Sequence, residues 1–157
     1  MIKSKLAALA AIAVLFFLTA CSRSGETNTS QRSGGQDRIM EIRDRMFIAQ
    51  VNEVYLNASE YLGRAVRLEG VFTREHFGDR DYHFVIRYGP GCCGDDGKVG
   101  FEVRWTGNQM QSYPEHDSWV DVLGVLRSYS DNNSTFLYLD LSSLTVLDRR
   151  GREFVNQ

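Results

Sequence analysis

The sequence predicts a mainly β protein, a small closed barrel of five antiparallel strands with one helix ahead of them. Three observations lead to this prediction. The chain has 157 residues, enough for one domain with a single core. Its body contains five runs in which apolar and polar residues alternate, as in half-buried strands. One segment before these runs has apolar residues three and four positions apart, the spacing of a helix.

The first 20 residues have the features of a bacterial lipoprotein signal peptide. The basic start carries Lys3 and Lys5, and the apolar stretch 6–18 is shorter than the ~20 residues of a membrane-spanning helix. Leu18-Thr19-Ala20-Cys21 matches a lipobox, the motif that precedes lipidation and cleavage. We therefore expect residues 1–20 to be removed and palmitate-type acyl chains on Cys21 to anchor the protein in a membrane of the cell envelope.

Residues 21–37 are predicted to form the lipidated cysteine and a flexible tether. The stretch 22–37 is made of Ser, Gly, Asn, Thr, Gln and charged residues, and none of them can join an apolar core. A flexible chain of this length spans roughly 20–25 Å on average. Ser22, rather than Asp, after the lipidated cysteine favours sorting to the periplasmic face of the outer membrane in a Gram-negative cell.

The globular domain is predicted over residues 38–157. Residues 38–42 fit a short edge strand, and Asp44 is placed to be the N-cap of a helix through Val51 and Tyr55. A strand is the alternative for this segment, because some of its apolar residues also fit a period of two. Residues 57–62 complete the helix, and Gly63 ends it.

The five alternating runs cover residues 65–72, 82–88, 99–105, 119–126 and 136–147. Turn-rich segments separate them at 78–81, 89–97, 106–117 and 128–134. Five short strands in a domain of this size favour an OB-like barrel, with a β-sandwich as the alternative. Gly70 and Gly124 fall inside strands, where a barrel strand bends or bulges. The alternation predicts these inward side chains: Val66, Leu68, Phe84, Ile86, Phe101, Val103, Val120, Val122, Leu137 and Leu139.

The charge balance argues against a nucleic-acid partner. Cleavage after Ala20 removes Lys3 and Lys5, which leaves 16 of the 18 basic residues against 20 acidic ones. Binding to phosphates needs a concentrated positive surface, and the basic residues of this chain are scattered among acids.

The most unusual loop of the predicted barrel carries Cys92, Cys93 and Asp95 between glycines. Two thiolates can bind Zn²⁺ or Cu⁺, with His76 or His83 completing the ligand set. The two cysteines can instead form a strained, redox-active vicinal disulfide. In the third interpretation they are structural, with one thiol packed as a small apolar group. The sequence leaves these three alternatives open.

The sequence shows no arrangement typical of an enzyme. The histidines match no zinc signature, and there is no Ser-His-Asp order, phosphate-binding loop or pair of catalytic carboxylates. We therefore expect a protein that is not an enzyme.

Several elements together resemble one bacterial family. They are Tyr61-Leu62-Gly63-Arg64, residues 68–72 and 84–87, Cys92-Cys93 followed by Asp95, Val99-Gly100, and the strand 118–124. Over about residues 38–148 the chain is similar to the C-terminal soluble domain of a putative two-component membrane permease complex subunit, a domain of unknown function. The resemblance implies a domain that works beside a membrane transporter.

These inferences combine into one functional expectation. We expect a lipid-anchored binding or interaction module of the cell envelope, which docks a permease, another envelope protein or a small ligand at the Cys92–Cys93 loop. A metal-handling lipoprotein for Zn or Cu, or a thiol-redox protein, is the alternative.

Overall fold

A computed structural model describes residues 38–90, 97–107 and 111–156 of the chain. The predicted signal peptide and tether, residues 1–37, lie outside the described residues. Within the described part, no helix is long and apolar enough to span a membrane.

The domain is a closed five-stranded barrel, as the sequence predicts. Its strands follow the order β2-β3-β4-β6-β5, and a pairing between β2 and β5 closes the barrel. All neighbours are antiparallel except β4 and β6, which are parallel. This closed arrangement is the OB-like barrel and excludes the sandwich alternative. The strands are β2 Ala65–Phe77, β3 Arg80–Gly89, β4 Gly97–Arg104, β5 Trp119–Asp131 and β6 Ser134–Val146.

The segment before the barrel contains the predicted edge strand and helix. Strand β1, Met40–Ile42, pairs in parallel with β2. A 3₁₀ turn at Asp44–Met46 leads into α1, Phe47–Leu56, and a short helix α2, Ala58–Tyr61, follows. Gly63 ends this region with φ +83°, a conformation that glycine adopts without strain. The prediction of a helix rather than a strand is therefore confirmed.

The predicted N-cap at Asp44 is wrong. Helix α1 begins after Met46 and has no side-chain cap hydrogen bond. Asp44 lies in the 3₁₀ turn instead, and its carboxylate accepts a hydrogen bond from the Arg87 guanidinium. A buried cation attracts a nearby carboxylate strongly, and this pairing takes the place of helix capping.

The barrel interior holds the main core, and eight of the ten predicted inward residues are in it. Phe84 and Ile86 are the two errors. On β3 the core residue is Val85, which lies between the two predicted positions and is opposite Phe72 of β2 and Phe101 of β4. Ile86 belongs to a second, outer cluster with Val71 and Trp119, against which Phe84 packs.

The chain after β6 is the reason why alternation fails on β3. The backbone N–H of Leu147 donates to Trp119, and that of Val155 donates to the Tyr88 carbonyl 2.8 Å away. The C-terminal segment thus runs from Trp119 on β5 to Tyr88 on β3, and Leu147 packs against the outer cluster. Both faces of β3 become buried there, so apolar residues occupy consecutive positions.

Strands β2, β3 and β5 are longer than predicted, and β6 begins two residues earlier than predicted. The β2–β3 connection is reduced to two residues, with Gly78 at φ +59°. The β5–β6 connection is Asn132-Asn133, and both residues have positive φ, as a tight hairpin turn requires. The register shifts between Leu123 and Gly124, which confirms the irregularity predicted at this glycine.

Candidate functional site

A cluster of aromatic and charged side chains covers the outer surface of four neighbouring strands. Tyr82 lies on β3, and Glu102 and Arg104 lie on β4. Tyr129 comes from β5, whereas Phe136 and Tyr138 come from β6. We call this surface the aromatic face; its members are Tyr82, Glu102, Arg104, Tyr129, Phe136 and Tyr138.

Strand register brings these residues together. Glu102 on β4 is opposite Tyr138 on β6, and Arg104 is opposite Asp140. Tyr129 faces Phe136 across the β5–β6 pair. Residues that are opposite each other in a sheet point to the same side, so the turn at Asn132-Asn133 places two aromatic rings side by side.

Glu102 is the polar centre of the aromatic face. Its side chain is only 7% exposed. The Tyr129 hydroxyl donates a hydrogen bond of 3.0 Å to Glu102 Oε2, and Arg104 Nε donates to Oε1. Burial first, and then the bond to Glu102, raise the pKa of Tyr129. Burial followed by the nearby Glu102 and Tyr129 raises the pKa of Tyr55 to about 12. A tyrosine is protonated at neutral pH even at its ordinary pKa, so the Tyr129 hydroxyl is available as a donor to Glu102.

Arg104 lies between two tyrosine rings. Its guanidinium carbon is 3.9 Å from the centre of the Tyr129 ring and 4.9 Å from that of Tyr138. Burial opposes the charge of Arg104, but the bond and the attraction to Glu102 outweigh it and raise its pKa. The cation is thereby held in a fixed orientation while its side chain stays 25% exposed.

The rings of the aromatic face remain accessible in part. Phe136 is 45% exposed and stacks on Tyr129 with ring centres 5.3 Å apart. Tyr138 meets Tyr129 edge-on at 6.0 Å. Tyr82 and Tyr138 are half-buried. Accessible rings around a fixed ion pair form a surface that can bind a ligand through stacking and hydrogen bonds.

The predicted site residues Cys92, Cys93 and Asp95 lie outside the described residues, as does Cys21. The structure describes the strand ends that hold the cysteine loop. Gly89 at the end of β3 is opposite Gly97 at the start of β4. The cysteine loop follows the Gly89 end of β3. The opposite end of this strand begins at Arg80, near the hairpin that carries Phe77.

The two histidines proposed as metal ligands have other partners. His83 stacks on Tyr113 with ring centres 3.7 Å apart and packs near Phe72. Burial, and then Arg74, lower the pKa of His83. His76 Nδ1 is 2.8 Å from Asp81 Oδ1. Within the described ranges, no three His, Cys, Asp or Glu side chains are grouped as a metal site.

A cavity of about 560 Å³ lies beside β1 and the 3₁₀ turn. Its wall includes Arg87, whose side chain is only 2% exposed. The guanidinium donates from Nε to the Glu69 carbonyl at 2.8 Å and lies over the rings of Phe47 and Trp119. Arg87 therefore joins the N-terminal segment to the barrel, and we assign it a structural role.

The aromatic face is not predicted from the sequence. Two signals for it are present in the chain. Glu102 and Arg104, like Lys98, are charged residues on the outer positions of a strand whose other residues are apolar or glycine. Tyr129 and Phe136 are equally far from Asn132-Asn133, which is the spacing of a cross-strand pair around a two-residue turn.

Comparisons with known proteins give one family and a distant structural similarity. Residues 18–155 match the family described as the DUF1980 C-terminal domain. No curated protein matches the chain. Among solved structures, the dimeric N-terminal domain of PriB from Thermoanaerobacter tencongensis is similar, with a TM-score of 0.34 and 22% identity. The match covers 54% of this chain and 97% of the PriB domain.

Proposed function

The chain belongs to the DUF1980 C-terminal domain family, and we propose that it is a binding module of the bacterial cell envelope, anchored by lipid on Cys21. Its ligand-binding surface is the aromatic face. The observation that carries this proposal is the ordered Tyr129–Glu102–Arg104 arrangement beneath partly exposed rings.

The energetics support a binding role for this arrangement. The Glu102 carboxylate, which is only 7% exposed, loses most of its hydration, and its hydrogen-bond partners must offset this loss. An apolar side chain at this position would stabilise the barrel without such a desolvation penalty. The pair also fixes Arg104 and Tyr129 before any ligand arrives. A preorganised surface loses less conformational entropy on binding than a mobile one.

Lipid anchoring is tested by labelling cells with a palmitate analogue. The wild-type chain is expected to incorporate the label and to sediment with membranes. Cys21→Ala is expected to lose the label and either leave the membrane fraction or accumulate as uncleaved precursor. Cys92→Ala is the matched control, because it removes a thiol at another position and is expected to keep the label. Labelling that persists in Cys21→Ala contradicts the anchor.

The binding surface is tested by photo-crosslinking in intact cells. A photoreactive phenylalanine analogue at Tyr138 is expected to give a discrete adduct on the full-length protein. The same analogue at Glu60, an exposed position on α2, serves as the control and is expected to give none. Equal crosslinking from both positions, or none from Tyr138, refutes the proposed binding surface.

An association with a membrane transporter is the second candidate function, and the permease-subunit resemblance of residues 38–148 favours it. In that case the adduct formed at Tyr138 contains a membrane protein. Mass spectrometry of the adduct after protease digestion distinguishes such a partner from a ligand that contains no peptide.

A further inference from the structure

We infer that the ligand of the aromatic face is a neutral oligosaccharide. The inference rests on the proposed binding function and specifies the chemistry of its ligand. Three properties of the surface carry it: accessible ring faces, hydrogen-bonding groups held beside them, and a balance of charge.

The aromatic rings supply flat apolar surfaces that lie side by side on neighbouring strands. Phe136 and Tyr129 stack at 5.3 Å, and Tyr138 lies next to them at 6.0 Å from Tyr129. A sugar ring presents a face of C–H bonds, and their partial positive charge is attracted by the negative face of an aromatic ring. Phe136, which is 45% exposed and has no polar group, is best placed for such a contact.

Polar groups beside the rings match the hydroxyls of a sugar. Arg104 uses Nε for Glu102, and no described residue accepts a hydrogen bond from either of its terminal nitrogens. These nitrogens are donors for sugar oxygens. Asp140, opposite Arg104 in the register, accepts a hydrogen bond from Thr106 through Oδ1. A carboxylate accepts several hydrogen bonds, so Asp140 can also accept from sugar hydroxyls.

Charge argues against a nucleic acid at this surface. The strands that carry the aromatic face have equal numbers of basic and acidic residues: Arg80, Arg87, Lys98, Arg104 and Arg127 against Asp81, Glu102, Asp121, Asp131 and Asp140. A single-stranded nucleic acid stacks on rings too, but it needs an excess of positive charge for its phosphates. A neutral ligand needs none.

The test titrates the full-length protein in mild detergent with a panel of chito-, cello- and malto-oligosaccharides. Calorimetry measures affinity, and oligothymidylate is the nucleic-acid probe. At least one oligosaccharide is expected to bind. Tyr138→Ala is expected to weaken that binding at least about tenfold through loss of ring contact. Leu56→Ala removes an apolar side chain of 81% exposure on α1 and is the matched control, with affinity unchanged.

A second variant tests the contact between the sugar and the exposed ring of Phe136. Phe136→Ala, at an exposed position, is expected to weaken binding while circular dichroism stays as in the wild type. Binding of oligothymidylate alone, or of no oligosaccharide, overturns the inference. If crosslinking from Tyr138 persists in cells while every oligosaccharide fails, the proposed binding function stands and only the ligand class is wrong. If both fail, the proposed function fails as well.

Discussion

Tyr129→Phe is the substitution that best isolates the centre of the aromatic face. It removes one hydroxyl and leaves the ring that stacks on Phe136 and lies under Arg104. The hydroxyl is 3.0 Å from Glu102 Oε2, on a side chain that is 7% exposed. Its removal leaves a buried carboxylate oxygen without that donor. A hydrogen bond to a charged group contributes about 1.5–3 kcal/mol, and this is the expected loss in the free energy of unfolding.

Urea unfolding of the full-length chain, followed by tryptophan fluorescence, measures this loss. Tyr138→Phe is the matched control, since no described residue forms a hydrogen bond with the Tyr138 hydroxyl; its change is expected to stay within about 0.5 kcal/mol. A double-mutant cycle with Glu102→Gln is expected to give a coupling energy of about 0.5–3 kcal/mol. If Tyr129→Phe costs no more than the control, the buried carboxylate does not depend on Tyr129 and the preorganised site is refuted.

Three further predictions concern the core, pH and the cysteine loop. Leu68→Ala, at a side chain of 1% exposure, is expected to lower the unfolding free energy by about 2–5 kcal/mol. Leu56→Ala is the control and is expected to change it by less than about 0.5 kcal/mol. Equal effects of the two substitutions in urea unfolding would contradict the core assignment. Because burial lowers the pKa of His83 below its ordinary value of 6.5, the unfolded chain binds a proton there more readily, and stability is expected to fall as pH drops from about 6.5 through the folded-state pKa. His83→Phe keeps a ring against Tyr113 and is expected to flatten that part of the pH profile; an unchanged profile is the contrary result. The double variant Cys92→Ser, Cys93→Ser is expected to have the melting temperature of the wild type. A disulfide between adjacent cysteines closes only a small ring and therefore restrains the unfolded chain little. A large drop in melting temperature, with no zinc or copper bound by the wild type, would show that the pair is structural.

The sequence predicts the barrel well because alternation and turn residues are local signals. The locations of the turns, the N-terminal helix and most inward positions follow from these signals. Alternation fails at Ile86 because a segment more than sixty residues later covers its strand, and no local pattern contains that contact. The extra length of β5 and the earlier start of β6 are not predicted because Ser, Asn and Asp suggest a long loop. In the structure, pairing of Tyr129 with Phe136 continues the ladder up to the turn.

The aromatic face depends on contacts across three strand pairs, which sequence spacing does not show. Tyr129 and Glu102 are 27 positions apart along the chain, and their hydrogen bond exists because the barrel is closed in this register. The cysteine loop attracts notice in the sequence because of its composition. Composition identifies unusual residues, but only the fold shows which side chains lie together.

Hydrogen exchange measured by mass spectrometry tests most directly where the ligand binds. The full-length protein is compared with and without detergent-solubilised cell envelope from the same bacterium. Slower exchange is predicted in peptides from residues 99–104 and 127–140, which carry the aromatic face, while the ends of the cysteine loop at Gly89 and Gly97 stay unchanged. Protection confined to peptides that span residues 89–97, or no protection at all, would contradict the assignment of ligand binding to the aromatic face.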